Sequence, residues 1–164
     1  MRQHMKWTRQ YIGLACGLAL LILCSSAQWS SAQFSTPVVD IPAHHDGPPP
    51  ATPKQPPLLS GKQLTGPSFV YPWQVKVYKA AARIPNVLYQ LPCYCRCDRA
   101  LGHQSLRSCF EGTHGAECST CAQEGFYAYQ MTRKGWTPQQ IREGVERGDY
   151  KKIDLKQAAA QTAL

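Results

Sequence analysis

The most constraining feature of this sequence is the crowding of its cysteines into one short segment. Of the eight cysteines in the 164-residue chain, six lie in this segment, in the order Cys93, Cys95, Cys97, Cys109, Cys118 and Cys121. A domain of about 90 residues buries limited apolar surface, so it gains little stability from a conventional core. We therefore expect sulfur chemistry either to support the fold or to carry the function.

Metal binding is the first interpretation, and the cysteine spacing sets a condition on it. Alternate residues of an ideal strand lie about 6.6–7 Å apart along the backbone. Two sulfurs on one zinc ion, at about 2.3 Å each, are separated by at most about 4.6 Å. The segment from Cys93 to Cys97 must therefore curl into a loop, or its thiolates must serve more than one ion. Pro92 permits the curl because it keeps the segment out of a helix.

The other cysteines also have a spacing that suits chelation. Cys118 and Cys121 are three residues apart, which brings their side chains to within about 5–6 Å on a helix. Thiolates select Cu(I), Zn(II) and similar thiophilic ions over Mg²⁺ or Ca²⁺. We predict that all six thiols bind such an ion. His103 and His114 flank the cysteines and are candidates for further ligands or for neighbours that hydrogen-bond to the ligands.

Two other interpretations of the cysteines stay open, and with them the question of whether the protein is an enzyme. In a thiol–disulfide oxidoreductase, Cys118 would attack and Cys121 would resolve, since a helix start lowers the pKa of a thiol. In a disulfide-stapled interaction module, the six cysteines would form three bridges, for which fifteen connectivities exist. A bridge between Cys93 and Cys95 would close a strained ring, so these cysteines would pair outward.

The first 32 residues are typical of an export signal. Arg2, Lys6 and Arg9 precede an apolar run from Tyr11 to Cys24, and small residues follow it. We expect a periplasmic or extracellular protein, which would be attached to a membrane only if this segment were not cleaved. Removing the segment deletes three basic residues, which leaves 15 basic against 10 acidic side chains, a net +5. This excess forms no basic block, so we predict no nucleic-acid binding; an unidentified protein partner remains compatible with the sequence.

Proline dominates the next stretch. Ten of the thirteen prolines lie from Pro37 to Pro72, a composition typical of an extended, disordered linker. We assign residues 33–71 to this linker and expect a solvated polar turn at His44, His45 and Asp46. Residues 156–164, rich in Ala and Gln, are predicted to form a disordered tail.

Between these ends, residues 72–155 are predicted to form a small, mostly α, Cys-rich domain. Its cysteine loop would pack on a pair of helices. A helix is expected from Pro72 up to Pro85, followed by an extended segment over 86–91 and a brief helix over 105–110. Apolar spacing predicts a longer helix over 116–134, and Thr137 with Gln140 forms a capping box for the next helix. This last helix should bury Ile141 and Val145. The glutamates at 111, 117 and 124 are interpreted as helix-start and surface charges.

The cysteine segment also resembles a family of exported bacterial proteins named for a Pro-Cys-Tyr-Cys-Gly-Cys motif, or CYCXC. The motif stands here as residues 92–97, and the similarity continues through 101–106, 109–110 and 114–116. It then includes Cys118 and Cys121 and closes at Gly135, Thr137, Pro138 and Ile141. It covers residues 72–155 and leaves out the export signal and the linker. Arg96 occupies the place of the motif glycine, so the loop geometry is in question if that glycine has a positive φ. The family has no established function, so the resemblance implies a domain type and not an activity.

Overall fold

The computed structural model describes residues 40–164, and the predicted export signal therefore lies outside the described residues. The described part is mostly helical and contains no β-strand, which confirms the predicted fold class. None of its helices is both long and apolar enough to span a membrane. In chain order the α-helices are α1 (Pro72–Ala81), α2 (Pro85–Leu88), α3 (Cys97–Leu101), α4 (His114–Glu117), α5 (Ser119–Arg133), α6 (Pro138–Glu146) and α7 (Leu155–Gln161). Three short 3-10 helices span Gly61–Gln63, Leu106–Phe110 and Asp149–Lys152.

Helix α5 is the centre of the domain and packs against α1, α2, α4, α6 and α7. Its glycine at position 125 permits a close approach of neighbouring side chains. A Cβ atom there would lie 2.8 Å from Phe110 Cζ and 3.0 Å from Val77 Cγ2. Because Phe110 and Val77 are both fully buried, any larger residue at 125 would force α1 and the 3-10 helix away from α5.

Two predictions of secondary structure differ from the structure, one for the helix over 116–134 and one for the segment over 86–91. The predicted helix over 116–134 is divided into α4 and α5, because Cys118 between them has an extended backbone, with φ −118° and ψ 113°. The extended segment expected over 86–91 is wrong, since residues 85–88 form helix α2. Proline suits the first turn of a helix, so Pro85 begins α2, whereas α1 has already ended at Ala81.

The capping box of α6 is confirmed. The Gln140 backbone N–H donates to Thr137 Oγ1 at 3.3 Å, and Gln140 Oε1 accepts from the Thr137 backbone N–H at 2.9 Å. Ile141 and Val145 are fully buried, as predicted. The brief helix expected over 105–110 is present as the 3-10 helix at Leu106–Phe110.

Residues 40–71 were predicted to be disordered, but the structure places several of them against the domain. Pro42 is fully buried, and the exposed fraction of Leu64 is only 6%. The Leu59 backbone N–H donates to the Phe110 carbonyl at 2.9 Å, and Arg107 donates to the Pro56 carbonyl at 2.5 Å. Proline excludes a regular helix or strand here, but its apolar ring and free carbonyl still allow an extended chain to pack.

The end of the chain also differs from the prediction of a disordered tail. Asp154 caps α7, because its carboxylate accepts from the Gln157 backbone N–H at 2.7 Å. Ala158 and Ala159 are buried, with exposed fractions of 3% and 7%. An Ala-rich segment forms a helix readily once it has a capping residue and a surface on which to pack.

Candidate metal centre

The segment from residue 92 to 97, called the thiol loop below, curls as the metal interpretation requires. The Arg96 backbone N–H donates to the Cys93 carbonyl at 3.2 Å and closes a tight turn. Within this turn the sulfurs of Cys93 and Cys95 are 3.3 Å apart, far closer than in an extended strand. Cys97 follows as the first residue of α3.

Cysteines from two other elements meet the thiol loop. Cys109 lies in the 3-10 helix, which is tied to the residue before the loop by the Leu106 N–H···O=C Leu91 bond of 2.8 Å. Cys97 Sγ and Cys109 Sγ are 3.3 Å apart. Cys121, in the first turn of α5, has its sulfur 3.4 Å from both Cys93 Sγ and Cys95 Sγ. The five thiols that meet here, called the sulfur cluster below, are Cys93, Cys95, Cys97, Cys109 and Cys121.

All six cysteines of the described chain are free thiols. The sulfur–sulfur distances of 3.3–3.4 Å within the cluster are much longer than a disulfide bond of about 2.05 Å. They are instead in the range that separates donor atoms around one ion. The structure therefore brings together the two sequence-separated groups of cysteines, as the site hypothesis requires.

Two sets of donor atoms have all their members within 4.8 Å of one another. The first consists of the thiols of Cys93, Cys95, Cys97 and Cys109, and the second of Cys95, Cys109, Cys121 and an imidazole nitrogen of His114. The sulfur contacts of 3.3 Å between Cys93 and Cys95 and between Cys97 and Cys109 lie well inside the limit of about 4.6 Å for two sulfurs on one zinc ion. Each set offers the four ligands of a tetrahedral site, and the two sets share Cys95 and Cys109.

Cys118 differs from the other five cysteines. It is half-buried at the junction of α4 and α5 and belongs to neither donor set. Its predicted role as a ligand stays a prediction. The Cys121 thiol lowers the pKa of Cys118, but the Cys95 thiol and burial outweigh this effect, so the pKa lies above its ordinary value. The redox interpretation expected a lowered pKa at this helix start.

The two histidines occupy different places around the cluster. His114 Nε2 lies 3.7 Å from Cys95 Sγ, whereas His103 Nδ1 lies 3.4 Å from Cys109 Sγ. Their rings meet edge to face, with centroids 5.4 Å apart. Gly115 sets the position of His114, because a Cβ at 115 would be only 2.8 Å from the Cys109 carbonyl oxygen. Both histidines predicted from the sequence are thus at the site.

The thiols of the cluster share protons through hydrogen bonds, so the pKa of each thiol depends on its neighbours. Interaction with Cys109 raises the pKa of Cys121 and of Cys93, whereas interaction with the same residue lowers the pKa of Cys95. Cys95 is also the half-exposed member of the cluster, whereas the other four are buried. A thiolate at Cys95 is therefore stabilised by the S–H groups around it.

Glu124 is a buried residue of the site that the sequence analysis placed on the surface. Its side chain is fully buried on α5. One carboxylate oxygen accepts from the Tyr94 backbone N–H at 2.8 Å, and the other has no partner. Burial raises the pKa of Glu124 to about 8. Its position three residues after Cys121 was the signal that could have placed it on the cluster side of the helix.

Arg96, at the place of the motif glycine, adopts the left-handed backbone conformation that favours glycine. It has φ 62° and is the only non-glycine residue of the described chain with a positive φ. Its guanidinium lies 5.7 Å from the centre of the Tyr94 ring and donates to the Asp40 carbonyl at 2.6 Å. Arg99 also binds the Asp40 carboxylate. These contacts attach residue 40 to the outer side of the thiol loop.

Comparison with known families identifies the domain. A family model described as a protein of unknown function with a PCYCGC motif matches residues 67–157, more than half of the chain. The chain belongs to this family, as the resemblance at the cysteines indicated. Neither the curated proteins nor the solved structures give a significant match.

Proposed function

We propose that this member of the PCYCGC-motif family binds a thiophilic metal ion, Cu(I) or Zn(II), outside the cytoplasm. The observation that carries the proposal is the sulfur cluster itself. Five thiols from the thiol loop, a 3-10 helix and α5 meet with their sulfurs in contact, and an imidazole completes one donor set. A metal site needs donor atoms that converge in this way, whereas a purely apolar core has no need of them.

The donor chemistry supports soft or borderline ions. Thiolate and imidazole favour Cu(I) and Zn(II), whereas Mg²⁺ and Ca²⁺ require several oxygen ligands. The buried carboxylate of Glu124 has one of its oxygens already engaged by the Tyr94 backbone N–H. A bound ion would also neutralise thiolates that are costly to bury without a positive charge nearby.

The same geometry gives less support to thiol–disulfide exchange through Cys118 and Cys121. Cys118 belongs to neither donor set, and the pKa of its thiol is raised. An attacking cysteine needs a substantial thiolate fraction, which a raised pKa reduces. Redox activity therefore stays a prediction from the CxxC spacing.

Anaerobic metal analysis combined with thiol counting tests the proposal. The full chain should carry Cys16→Ser and Cys24→Ser, so that only the cysteines of the domain remain. We expect stoichiometric binding of Zn(II), or of Cu(I) in competition with bathocuproine disulfonate, and six titratable thiols after the metal is removed. Cys121→Ser should weaken binding by at least tenfold, whereas Cys118→Ser, the matched variant outside both donor sets, should change it less.

Three results would contradict the proposal. Absence of tight binding of both ions to the fully reduced protein would exclude a metal centre. Two thiols that cycle reversibly at a defined potential while no metal is bound would favour the redox alternative. Six cysteines oxidised in the protein recovered after export, with no metal retained, would favour the stapled module.

A further inference from the structure

We infer that the surface around helix α7 docks on a bilayer of anionic phospholipids and lies on it without crossing it. Three cavities of about 400, 460 and 410 Å³ border the last residues of the described chain, from 159 to 164. Together they form the cationic surface, as it is called below. None of the six cysteines of the domain lines these cavities. The inference therefore does not depend on the proposed metal centre.

The charge of the cationic surface has one sign. No acidic side chain lines the three cavities, whereas six basic ones do, namely Lys76, Lys79, Arg83, Arg133, Lys134 and Lys156. Within residues 40–164 none of these six forms an ion pair. Six of the other nine Lys and Arg side chains do form one, on other parts of the domain. The unpaired cations of this surface are thus complementary to an anionic partner.

The fold assembles this surface from separate parts of the chain. Lys76 and Lys79 lie on α1, Arg133 ends α5, and Lys156 lies in the first turn of α7. Because these residues form no block in the sequence, the sequence analysis expected membrane attachment only through an uncleaved N-terminal segment. The tertiary structure adds a second means of attachment.

The apolar part of the surface favours a bilayer as the partner. Apart from Lys76 and Lys156, the cavity between α1 and α7 is lined only by two aromatic rings, a proline and two alanines. The rings of Tyr71 and Trp73 are stacked, with centroids 6.2 Å apart. Beside them, Val70 and Tyr71 have exposed fractions of 64% and 56%.

A bilayer supplies partners for both parts of this surface. Lysine ammonium groups can reach the phosphates while aromatic rings lie at the level of the headgroups. The aliphatic side chains of Val70 and the alanines suit acyl chains better than nucleic-acid bases. Single-stranded nucleic acid, which also combines phosphate with stacking rings, is the competing ligand in the test.

Cosedimentation of the full chain with vesicles tests the charge of the surface. We expect binding to mixed phosphatidylglycerol and phosphatidylcholine vesicles to exceed binding to pure phosphatidylcholine vesicles by at least tenfold at about 0.05 M salt. The difference should shrink at about 0.5 M salt, because salt screens exposed charges. Equal binding to the two kinds of vesicle would overturn the inference.

Two triple variants locate the effect on the molecule. The test variant replaces three exposed lysines of the cationic surface with glutamine, at positions 79, 134 and 156. Each cation near an anionic membrane contributes about fivefold, so this variant should bind anionic vesicles at least tenfold more weakly. The control replaces three exposed lysines outside the surface, at positions 54, 151 and 152, and should bind within about threefold of the parent chain. All these proteins retain residues 1–39, so the contribution of the N-terminal apolar run is the same in each.

A single variant tests the apolar part. Tyr71→Ser should weaken binding to anionic vesicles severalfold, whereas Leu101→Ser should not. Leu101 is the matched control because its exposed fraction is 55% and it lines none of the three cavities. Equal effects of these two substitutions would show that the rings do not enter the bilayer, and would overturn the inference.

Two further results would overturn the inference. Equal losses in the two triple variants would show that the cationic surface has no special role. Tighter binding of the parent chain to single-stranded DNA than to anionic vesicles, at equal phosphate concentration, would assign the surface to nucleic acid. The triple variant of the cationic surface should bind Zn(II) as the parent chain does, so failure of this inference leaves the proposed function standing.

Discussion

The two ends of helix α5 are stabilised by different kinds of interaction. Towards its C-terminus, α5 packs on α6, where Ile141 and Val145 are fully buried behind a complete capping box. At its N-terminus Cys121 contacts the thiols of Cys93 and Cys95, and the buried Glu124 of the same helix has one carboxylate oxygen without a partner. The first region needs nothing outside the chain. Under the proposed function, the second region is completed by an ion.

This difference shows why the cysteine end must be built on a rigid helix. Ligands hold a metal well only when their side chains are positioned before the ion arrives. Here α5 fixes Cys121 and Glu124 on adjacent turns, and Glu124 in turn holds the Tyr94 backbone of the thiol loop. The apolar end of α5 therefore supports the site without taking part in its chemistry.

Metal removal should have the largest effect and should separate the two ends. At a free Zn(II) concentration about 1,000-fold above its dissociation constant, binding stabilises the folded state by about 4 kcal/mol. Chelation should therefore lower the unfolding free energy by a similar amount. Amide hydrogen exchange should rise in the thiol loop and the first turn of α5 while α6 stays protected. A uniform rise along the chain would show that the two ends unfold as one unit.

Ile141→Ala should have the converse effect. The side chain is fully buried, and its truncation should cost about 2–5 kcal/mol in unfolding free energy. Zn(II) stoichiometry measured by native mass spectrometry should not change. Ile141→Val, the conservative control, should cost about 1 kcal/mol. Loss of metal in a folded Ile141→Ala protein would contradict the separation of roles.

Glu124 connects the two ends, and its substitution should have an intermediate effect. Glu124→Ala leaves the Tyr94 N–H without a partner, so we expect a loss of about 2 kcal/mol in chemical denaturation of the metal-free protein. Glu124→Gln retains an acceptor oxygen and should lose less than half as much. The exposed Glu143→Ala serves as the surface control. Equal effects of Glu124→Ala and Glu143→Ala would show that the Tyr94 contact contributes nothing.

The smallest expected effect concerns Arg96 at the tip of the thiol loop. Arg96→Gly and Arg96→Ala both remove the contacts of the guanidinium with Asp40 and Tyr94. Only glycine adopts the observed positive φ without strain, so Arg96→Gly should be more stable than Arg96→Ala by about 1 kcal/mol. Thermal unfolding of the two metal-free variants measures this difference. Equal stability would show that the loop relaxes to a different backbone conformation.

Much of this arrangement is predictable from local rules. The Thr137 capping box and the burial of Ile141 follow from sequence patterns that span a few residues. The curl of the thiol loop is one of the two outcomes left open by a comparison of two lengths, the strand repeat and the reach of two sulfurs around one ion. These features need no knowledge of the rest of the chain.

The features that were missed depend on tertiary contacts. The spacing from Cys121 indicates the side of the helix on which Glu124 lies, but not that its carboxylate accepts a backbone N–H from a loop 30 residues earlier. The packing of Pro42 and Leu64 depends on a surface formed by later residues. The break at Cys118 was missed because apolar spacing continues across it, although the helix itself does not.

The central claim is that thiols from separate segments share one metal centre. X-ray absorption at the zinc edge tests this claim most directly. The sample is the zinc-loaded full chain with Cys16 and Cys24 replaced by serine. One donor set has four sulfurs and the other has three sulfurs and one nitrogen. We therefore predict a first shell dominated by sulfur at about 2.3 Å, with a minor nitrogen contribution at about 2.0–2.1 Å. A shell composed mainly of oxygen and nitrogen would show that the thiols do not hold the ion, and it would contradict the account.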